Sequence, residues 1–414
     1  MRILVAPHEL SIGGSQINAI DLAAGAAAAG HDVVVYGIPG PLVDLVRDRG
    51  LEFVAAHPLR YRPAPSRIAQ LAALARHRRL DLIHAYEWPP CLDAYYGAHL
   101  LVGVPLLCTV LSMSVSPLVP SSVPLVMGTE ALGDEARRTH RAPVCVLEPP
   151  IDVAGDHPAI DGATFRRDCG VDDDGMLVVT VSRLAIDLKL DALVQAIDAV
   201  DHLAGRLPLR LAIVGGGPAE AALRERAAAV NARWGREVVR FTGPLQDPRA
   251  AYAAADLVLG MGSSALRALS MGRPVVVQGE EGFSKVFEPA NVPYFLWHGM
   301  WGRAEAGWTV QKLAEQIHGL LADPARRAQL GAFGRETVER RFSLSRAASR
   351  QLEIYSEVRR WGRPATSADA ATAARRAVRL ELGYHDPRRK RARRLTELSR
   401  LSAASRLGDH GAYA

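Results

Sequence analysis

The fold follows from one stretch near the middle of the chain, Leu209-Arg210-Leu211-Ala212-Ile213-Val214-Gly215-Gly216-Gly217-Pro218. A short apolar run without alternation is typical of a strand that is buried on both faces of a parallel sheet. The glycines and the proline predict a tight turn, and residues 219–230 continue with helical periodicity. The turn at Gly215 and Gly216 suits the floor of a nucleotide pocket and a plain tight turn equally well, so both interpretations stay open.

The same strand–turn–helix unit recurs on both sides of this stretch. Apolar runs that predict strands occupy residues 3–6, 33–36, 82–84, 106–111, 125–127 and 144–147, and then 177–181, 209–214, 238–241, 257–259 and 275–277. Helical patterns lie between them at residues 15–29, 66–78, 190–203, 219–230 and 265–271. Because the alternation starts over after a break, two Rossmann-like α/β domains are the economical architecture.

The break between the two series is rich in proline, aspartate and glycine, at residues 148–161, and is predicted to be the linker. After the second series the chain becomes helical until Arg363-Pro364, where proline disfavours continuing a helix. The predicted segments are a first domain (1–155), a second domain (156–342), a last helix (343–361) and a basic tail that is helical or disordered (362–414).

The composition is that of a folded protein of about two domains. Of the 414 residues, 49% are hydrophobic and 23% are charged, which is too apolar for a disordered chain. The net charge of +6 belongs to the tail, because residues 363–414 hold 12 Lys/Arg and 5 Asp/Glu. We expect this tail to be a solvated extension, with peripheral membrane contact as the alternative. No nucleic-acid partner is expected, since aromatic residues are not interleaved with the cations.

Several classes of protein are not favoured by the sequence. No apolar stretch reaches the ~18 residues of a membrane helix and no secretion signal stands at the start, so a cytoplasmic location is expected. The cysteines are scattered and are expected to be free buried thiols, at Cys91, Cys108, Cys145 and Cys169. The run Asp172-Asp173-Asp174-Gly175 is interpreted as a solvated turn, so neither a metal nor another cofactor is expected.

Two sets of residues at strand ends are suited to holding phosphate. Gly13 and Gly14 stand between the first strand and the first helix, where bare N–H groups at a helix N-terminus can meet a phosphate or a sugar. An ordinary glycine turn is the alternative. Arg183 and Lys189 follow the strand at 177–181, and ligands of open α/β sheets bind at this edge. Two cations there would neutralise a diphosphate, and a solvated surface pair is the alternative.

Further candidates lie at other strand ends. The turn Gly262-Ser263-Ser264 begins a helix and can bind phosphate or hydroxyl oxygens. Glu280 and Glu281 follow a strand and are interpreted as a solvated loop, with a donor-sugar contact as the alternative. In the first domain, the best candidates for an acceptor site are polar residues at two strand ends, and each alone is also a plausible turn residue. They are His8, Glu9, His84, Tyr86 and Glu87.

Several short motifs follow one another in a fixed order. They are Met1-Arg2-Ile3-Leu4, Gly13-Gly14-Ser15-Gln16, Gly30-His31-Asp32-Val33, Ser182-Arg183-Leu184 with Lys189, Ile213-Val214-Gly215-Gly216-Gly217-Pro218, Phe241-Thr242-Gly243, Ala255-Asp256-Leu257 and Ala268-Leu269-Ser270-Met271-Gly272-Arg273-Pro274-Val275-Val276. This order resembles the GT-B glycosyltransferases of family 4, over about residues 1–361. The resemblance implies a retaining, nucleotide-sugar-dependent enzyme with two facing Rossmann-like domains. It also implies an acceptor mainly on the first domain, a donor mainly on the second, and a last helix that crosses back.

By the same resemblance, Arg183 and Lys189 hold the donor diphosphate, the Gly13 and Gly14 backbone faces the same phosphates, and Gly243 borders the base. The chain departs from the family at its usual pair of glutamates. Arg267 stands at the later position, and the loop that carries the earlier one is missing. We hypothesise that Arg267 binds a charged group of the donor or acceptor, or else is solvated. The family's Thr-x-His element reads Thr109-Val110-Leu111, so a common active-site histidine is absent.

The sequence therefore predicts a metal-independent glycosyltransferase. Its substrates would be a nucleoside diphosphate sugar and a hydroxyl-bearing acceptor that is either a small molecule or lipid-linked. The departures from the family favour an alternative, a non-catalytic GT-B relative that acts as a partner or regulatory subunit. A sugar epimerase with the same fold is a third hypothesis.

Overall fold

The computed structural model describes residues 1–59, 64–172, 174–304, 309–361, 367–385 and 387–405. The chain forms two compact units, Met1–Pro150 with Ser343–Lys390, and Ile151–Phe342 with Arg391–Ala414. The division lies after Pro150 rather than at residue 155. The reason is that Ile151 is buried in the second unit, where its N–H donates to the Phe342 carbonyl oxygen at 2.7 Å.

Unit 1 begins with a parallel sheet of seven strands. The strands are β1 (Arg2–Ala6), β2 (Asp32–Gly37), β3 (Glu52–Ala55), β4 (Leu82–Tyr86), β5 (Leu106–Val110), β6 (Leu125–Met127) and β7 (Val144–Val146). Their order in the sheet is β3-β2-β1-β4-β5-β6-β7, so the direction of winding reverses between β1 and β4. Ile3 is in register with Val33 on one side and with Leu82 on the other. Because both faces are covered, these strands are continuous apolar runs.

Helices cover both faces of this sheet. They are α1 (Gly14–Ala28), α2 (Val43–Asp48), α3 (Pro65–Arg78), α4 (Trp88–Ala94), α5 (Leu100–Val102) and α6 (Glu130–Thr139), with a π-helical turn at Tyr95–His99. Alternate residues of β1 pack in opposite layers, with Leu4 in one apolar cluster and Ile3 and Val5 in the other. Successive side chains of β1 therefore alternate between the two apolar layers that cover the sheet.

Unit 2 repeats the plan with a sheet of six strands. They are β8 (Met176–Val181), β9 (Leu209–Val214), β10 (Val239–Gly243), β11 (Leu257–Gly260), β12 (Val275–Gln278) and β13 (Ser284–Val286). The order is β10-β9-β8-β11-β12-β13, and only β13 is antiparallel to its neighbour. Here the winding reverses between β8 and β11. The helices are α7 (Ala163–Asp168), α8 (Leu190–Leu203), α9 (Glu220–Trp234), α10 (Arg249–Ala254), α11 (Ser263–Ser270), α12 (Val292–His298), α13 (Val310–Leu321) and α14 (Pro324–Arg341), with a 3-10 turn at Pro289–Asn291.

The chain then returns to unit 1 as α15 (Leu344–Trp361). Ile354, Tyr355 and Val358 are buried in the apolar cluster that also contains Ile3 and Val5. The predicted last helix at 343–361 thus packs with the first sheet.

The tail is helical where it is described, as α16 (Ser367–His385) and α17 (Pro387–Ser405). It is not simply solvated, because Ala373 and Ala377 are buried against unit 1 and Ala404 against unit 2. Arg226 pairs with buried Asp198 and also donates to the Ala404 carbonyl oxygen at 3.1 Å. The predicted stop at Arg363-Pro364 lies outside the described residues. Within the described chain, no helix is long and apolar enough to cross a membrane.

Candidate functional site

The loop between β8 and α8 lies at the carboxyl edge of the second sheet, at the reversal between β8 and β11. Crevices at such reversals are where open α/β sheets bind ligands. The loop continues the pairing with β9, because Ser182 N–H donates to the Val214 carbonyl and Leu184 N–H to the Gly216 carbonyl, both at 3.0 Å. Leu188, next to Lys189, adopts a left-handed backbone conformation with φ of 64°. Strain of this kind is concentrated at functional sites.

Arg183 and Lys189 are carried by this loop. Arg183 is exposed, and Lys189 is half-buried at the start of α8. Among the described residues, neither side chain has a hydrogen bond or an ion pair. Burial, and then the positive charge of Arg183, lower the pKa of Lys189 from 10.5 to about 8. Two cations without a carboxylate partner are suited to binding an anion such as a diphosphate.

Lys189 also lines a small cavity at the strand reversal. The other lining residues are Thr180, Val181, Ser182, Ala192, Leu193, Gly260, Met261 and Gln278. Gln278 was not among the residues predicted from sequence. Its Nε2 donates to the Ala192 carbonyl oxygen at 3.0 Å and so ties β12 to α8. The available signal was a polar residue at the end of the apolar run 275–277.

The glycine turn after β9 has mainly a packing role. A Cβ at Gly215 would collide with the Ser182 carbonyl oxygen, and one at Gly217 would lie 2.6 Å from the Leu184 carbonyl oxygen. Both glycines also have positive φ, 146° and 154°. At Gly216 a Cβ would meet no atom closer than 3.5 Å. Of the two glycines predicted for a nucleotide pocket, Gly215 is therefore required by the tight turn, and only Gly216 is open.

Gly243 and Gly262 have a different reason to be glycine. Their φ angles are 78° and 59°, yet an added Cβ would meet no atom within 4 Å at either position. Backbone conformation therefore selects glycine there. The Gly243 carbonyl accepts the Gly215 N–H at 3.0 Å, so the ends of β9 and β10 are joined beside the loop.

Of the residues at the start of α11 that were predicted to bind phosphate or hydroxyl oxygens, Ser264 already has partners within the protein. The Ser264 hydroxyl donates to the Val181 carbonyl oxygen at 2.8 Å and accepts from the Tyr252 hydroxyl at 3.0 Å. It is therefore occupied within unit 2 and is not a free phosphate ligand. Gly262 is exposed and Ser263 is half-exposed ahead of the helix.

Arg267 is half-buried and contacts a buried carboxylate. Its Nη1 lies 3.5 Å from Oδ1 of Asp156, whose side chain is only 3% exposed. Burial raises the pKa of the Asp156 carboxyl, and the charge of Arg267 opposes this rise. Arg267 therefore compensates a buried carboxylate. This contact gives Arg267 a structural role within unit 2, and its recruitment to a charged group of the donor or acceptor stays a prediction.

Glu280 and Glu281 are held by one arginine. Arg303 Nη2 lies 2.7 Å from a Glu280 carboxylate oxygen, and Arg303 Nε lies 3.5 Å from Glu281. Glu281 has φ of 54°, so the turn itself is strained. The loop is paired rather than simply solvated, and a contact with the donor sugar stays a prediction.

In unit 1, the loop after β1 carries His8 and Glu9 at the reversal between β1 and β4. His8 Nε2 lies 3.5 Å from a Glu9 carboxylate oxygen and 3.3 Å from Gln16 Nε2. Gly13 and Gly14 lead from this loop into α1, and the Gly13 carbonyl accepts the Ile17 N–H at 3.1 Å. A histidine and a carboxylate at the ligand-binding edge fit an acceptor site. The contact of Gly13 and Gly14 with donor phosphates stays a prediction.

Glu87 lies at the same edge, directly after β4. One carboxylate oxygen accepts the N–H groups of Leu111 and Ser112 at 2.8 and 3.0 Å, and the other accepts the Ser112 hydroxyl at 2.8 Å. Its φ of 68° is unusual for a residue with a side chain. Glu87 therefore orders the loop after β5, and its contact with an acceptor stays a prediction.

His84 and Tyr86 do not belong to an acceptor site. Both are 1% exposed. His84 is bound on both sides, by the Tyr355 hydroxyl at 2.8 Å and the Thr109 hydroxyl at 2.6 Å. Burial lowers the pKa of His84 to about 3 and raises that of Tyr86 well above 10.0. Both predictions were wrong because these residues belong to the core beneath the edge.

Metal ligands are not clustered in the part of the chain that the structure describes. There, no three His, Cys, Asp or Glu side chains are placed to hold an ion. Asp173, in the middle of the acidic run, lies outside the described residues. The four cysteines are free thiols, as predicted, but only three of them are buried, because Cys145 is half-exposed.

Comparison with known proteins agrees with this arrangement. Residues 12–119 match the family model for glycosyltransferase family 4, and residues 175–323 match the model for glycosyl transferases group 1. A Corynebacterium glutamicum protein is 32% identical over 221 residues, which cover 49% of this chain and 54% of that protein. It is described as a GDP-mannose-dependent monoacylated alpha-(1-6)-phosphatidylinositol monomannoside mannosyltransferase. The chain thus matches about half the length of this curated relative.

Solved structures of the same fold cover most of the chain. HepE from Anabaena, crystallised in complex with UDP, aligns with a TM-score of 0.69 at 20% identity, over 86% of this chain and 100% of that one. A glycosyltransferase from Rickettsia africae aligns with a TM-score of 0.70 at 14% identity, over 86% and 98%. The sheet topology, the two family matches and these structures agree, and the chain belongs to the glycosyltransferases of group 1 and family 4, with the GT-B fold.

Proposed function

We propose that this protein transfers a sugar from a nucleoside diphosphate sugar to a hydroxyl group of an acceptor. The observation that carries the proposal is the pair Arg183 and Lys189 at the strand reversal of unit 2, whose side chains have no hydrogen-bond or ion-pair partner among the described residues. In the transfer, the acceptor oxygen forms a bond with the anomeric carbon and releases its proton. The bond from that carbon to the diphosphate breaks, and its electron pair leaves with the diphosphate.

The two cations stabilise the charge that develops on the leaving diphosphate. Lys189 is half-buried beside a small cavity, where a charge acts more strongly than it does in water. We therefore assign this stabilisation to Arg183 and Lys189 rather than to a metal ion. Retention of the anomeric configuration is proposed from the family alone.

The relatives suggest which substrates to try first. The curated relative's name specifies GDP-mannose, and a HepE structure contains UDP-glucose, so these are the first and second donors to test. The relative's name also specifies a phosphatidylinositol mannoside as acceptor, which favours a lipid-linked acceptor over a free sugar. On the acceptor side, His8 and Glu9 are the residues we expect to contact the hydroxyl.

Titration calorimetry with GDP, UDP and the corresponding nucleosides tests the donor site. Arg183→Ala and Lys189→Ala should each weaken diphosphate binding about tenfold or more, since a charge-assisted hydrogen bond contributes about 1.5 to 3 kcal/mol. Nucleoside binding should change little. Arg206→Ala, at an exposed arginine beyond the far end of α8, is the matched control. Unchanged diphosphate affinity in both variants would remove the assignment.

One observation favours a non-catalytic relative as the second candidate. By the resemblance to the family, Arg267 stands where a glutamate is expected, and it is engaged with Asp156. A panel of nucleoside diphosphates and their sugars, read by thermal shift and by turnover, separates the possibilities. Thermal stabilisation with sugar transfer supports the proposal, whereas no stabilisation by any nucleotide supports a partner or regulatory subunit. Conversion of the nucleotide sugar without an acceptor would indicate an epimerase.

A further inference from the structure

A larger cavity than the one beside Lys189 lies in unit 1. It is on the opposite edge of the sheet from His8 and Glu87. Its volume is about 820 Å³. Arg2 begins β1 and Asp81 directly precedes β4, so the cavity lies at the amino ends of the strands. Helices α3 and α15 end beside it and contribute its other charged residues, Arg76, Arg79, Arg359 and Arg360. The candidate acceptor residues lie at the carboxyl ends, so this cavity is separate from them.

The charge of the cavity is strongly positive and poorly compensated. Of the residues that the structure describes, five arginines and a single carboxylate, Asp81, line it. That carboxylate is already engaged, because it accepts the Arg2 N–H at 2.7 Å and lies 3.5 Å from Arg2 Nε. The ends of α3 and α15 add about half a negative charge each, which leaves about three positive charges uncompensated. A cavity with this charge attracts anions.

Two of the arginines are not held by direct contacts, although the charge of Arg359 acts on Asp81. Among the described residues, the side chains of Arg79 and Arg359 make neither a hydrogen bond nor an ion pair. Arg76 and Arg360 donate only to backbone carbonyl oxygens, of Leu101 at 3.4 Å and of Ser356 at 3.3 Å. Four guanidinium groups are thus available to a ligand around one cavity.

Arg79 is also held in an unfavourable backbone conformation. It ends α3 with φ of 49° and ψ of 53°, the left-handed conformation in which helices usually place glycine. A glycine there would end the helix with less strain but would remove a cation from the cavity. An arginine at a glycine position is an outlier that points to a role for its side chain.

We propose that this cavity binds a ligand carrying two or more phosphate groups, at a site separate from sugar transfer. Phosphate oxygens match the fork of donors of a guanidinium group, and several guanidinium groups around one volume favour a polyphosphate over a single phosphate. The phosphates come either from a small soluble molecule or from lipid headgroups.

The test uses the full chain with Arg183→Ala and Lys189→Ala, which removes the proposed donor contacts. Inorganic pyrophosphate should still bind to this variant in titration calorimetry. Adding Arg79→Gly and Arg359→Ala should weaken that binding about tenfold or more. Arg206→Ala with Arg346→Ala removes the same charge at two exposed arginines outside the cavity and is the control. Arg79→Gly alone should lower pyrophosphate affinity while raising the melting temperature, which separates lost binding from lost folding.

Vesicles distinguish the two sources of phosphate. If the ligand is a lipid headgroup, vesicles of phosphatidylglycerol in phosphatidylcholine should bind the chain. This binding should be lost when Arg79 and Arg359 are replaced. Pyrophosphate binding without such vesicle binding indicates a soluble ligand. If pyrophosphate does not bind the variant lacking Arg183 and Lys189, or if the control weakens binding as much as the cavity variants do, the proposal is overturned. Either result leaves the proposed sugar transfer untouched, because that depends on Arg183 and Lys189.

Discussion

Nδ1 of His84 lies 2.8 Å from the hydroxyl oxygen of Tyr355, so a hydrogen bond joins β4 to α15 inside unit 1. Tyr355→Phe removes this bond and leaves a buried ring nitrogen unpaired, which should lower the free energy of unfolding by about 1 to 3 kcal/mol. Urea denaturation measures the change. Ser349→Ala removes an exposed hydroxyl from the same helix and should have little effect. Equal stability of the two variants would show that the bond contributes nothing.

The stability of unit 1 should fall in acid because of His84. Burial lowers its pKa from 6.5 to about 3, so between these values the unfolded chain binds a proton that the folded chain does not. Stability is therefore lost as the pH falls below about 6.5, by about 1.4 kcal/mol per pH unit from this group. His84→Gln should be less stable at neutral pH but should lose less on acidification. His77→Gln, at an exposed histidine, should keep the wild-type slope.

Two glycine-to-alanine substitutions should act in opposite directions. In an exposed helix interior, alanine is favoured over glycine by about 1 kcal/mol. At Gly25 of α1, however, the new Cβ would lie 2.7 Å from the Cβ of Ala348 on α15, so Gly25→Ala should separate the two helices and destabilise unit 1. At Gly319 of α13 no atom lies within 4 Å, and Gly319→Ala should stabilise. Thermal melting of both variants tests the contact, and stabilisation by both would contradict it.

Much of the fold could be predicted from sequence because buried parallel strands are continuous apolar runs. The prediction of 209–214 as a strand matches β9, and β6 was likewise placed correctly. Strand β3 was missed because two of its four residues, Glu52 and Ala55, are exposed at the edge of the sheet. Strand β13 was missed because two of its three residues, Ser284 and Lys285, are polar, so it is not an apolar run.

The candidate site was only partly predictable, and the failures share a physical reason. Arg183 and Lys189 follow a strand, so topology alone places them at the ligand-binding edge. His84 and Ser264 were misassigned, and the structural partner of Arg267 was not foreseen, because the partners of all three are far away in sequence. Those partners are Tyr355, Val181 and Asp156. A polar side chain is free for chemistry only if no such contact uses it, and this is decided by packing.

The pair Arg267 and Asp156 should behave as a structural unit. Arg267→Met leaves the Asp156 carboxylate buried without its nearest cation and should destabilise unit 2 by about 2 kcal/mol. Adding Asp156→Asn removes the charge that needs compensation and should restore part of the loss. Arg340→Met, whose partner Glu336 is exposed, should have a much smaller effect. Denaturation of the wild type, of Arg267→Met and Asp156→Asn singly, and of the double variant gives the coupling energy. Additive losses at the two sites would rule out the unit.

Donor affinity should depend on pH through Lys189. Its pKa of about 8 means that the ammonium group begins to lose its proton just above neutral pH, whereas an ordinary lysine stays charged to about 10.5. Only the charged form attracts the diphosphate, and a bound diphosphate raises the pKa of the group in return. The dissociation constant for GDP should therefore rise as the pH increases through 8, by up to about tenfold per pH unit.

Lys189→Arg distinguishes this titration from that of the nucleotide itself. A guanidinium group keeps its charge throughout this range, so the variant should bind GDP with a flatter pH profile between pH 7 and 9, whatever its affinity at pH 7. Lys390→Arg changes an exposed lysine of α17 in the same way and should keep the wild-type profile. Calorimetry at several pH values gives both curves, and the titration of GDP contributes equally to each. If the pH profile of Lys189→Arg is as steep as that of the wild type, another group governs the pH dependence of GDP affinity. The assignment of Lys189 to the diphosphate would then be wrong.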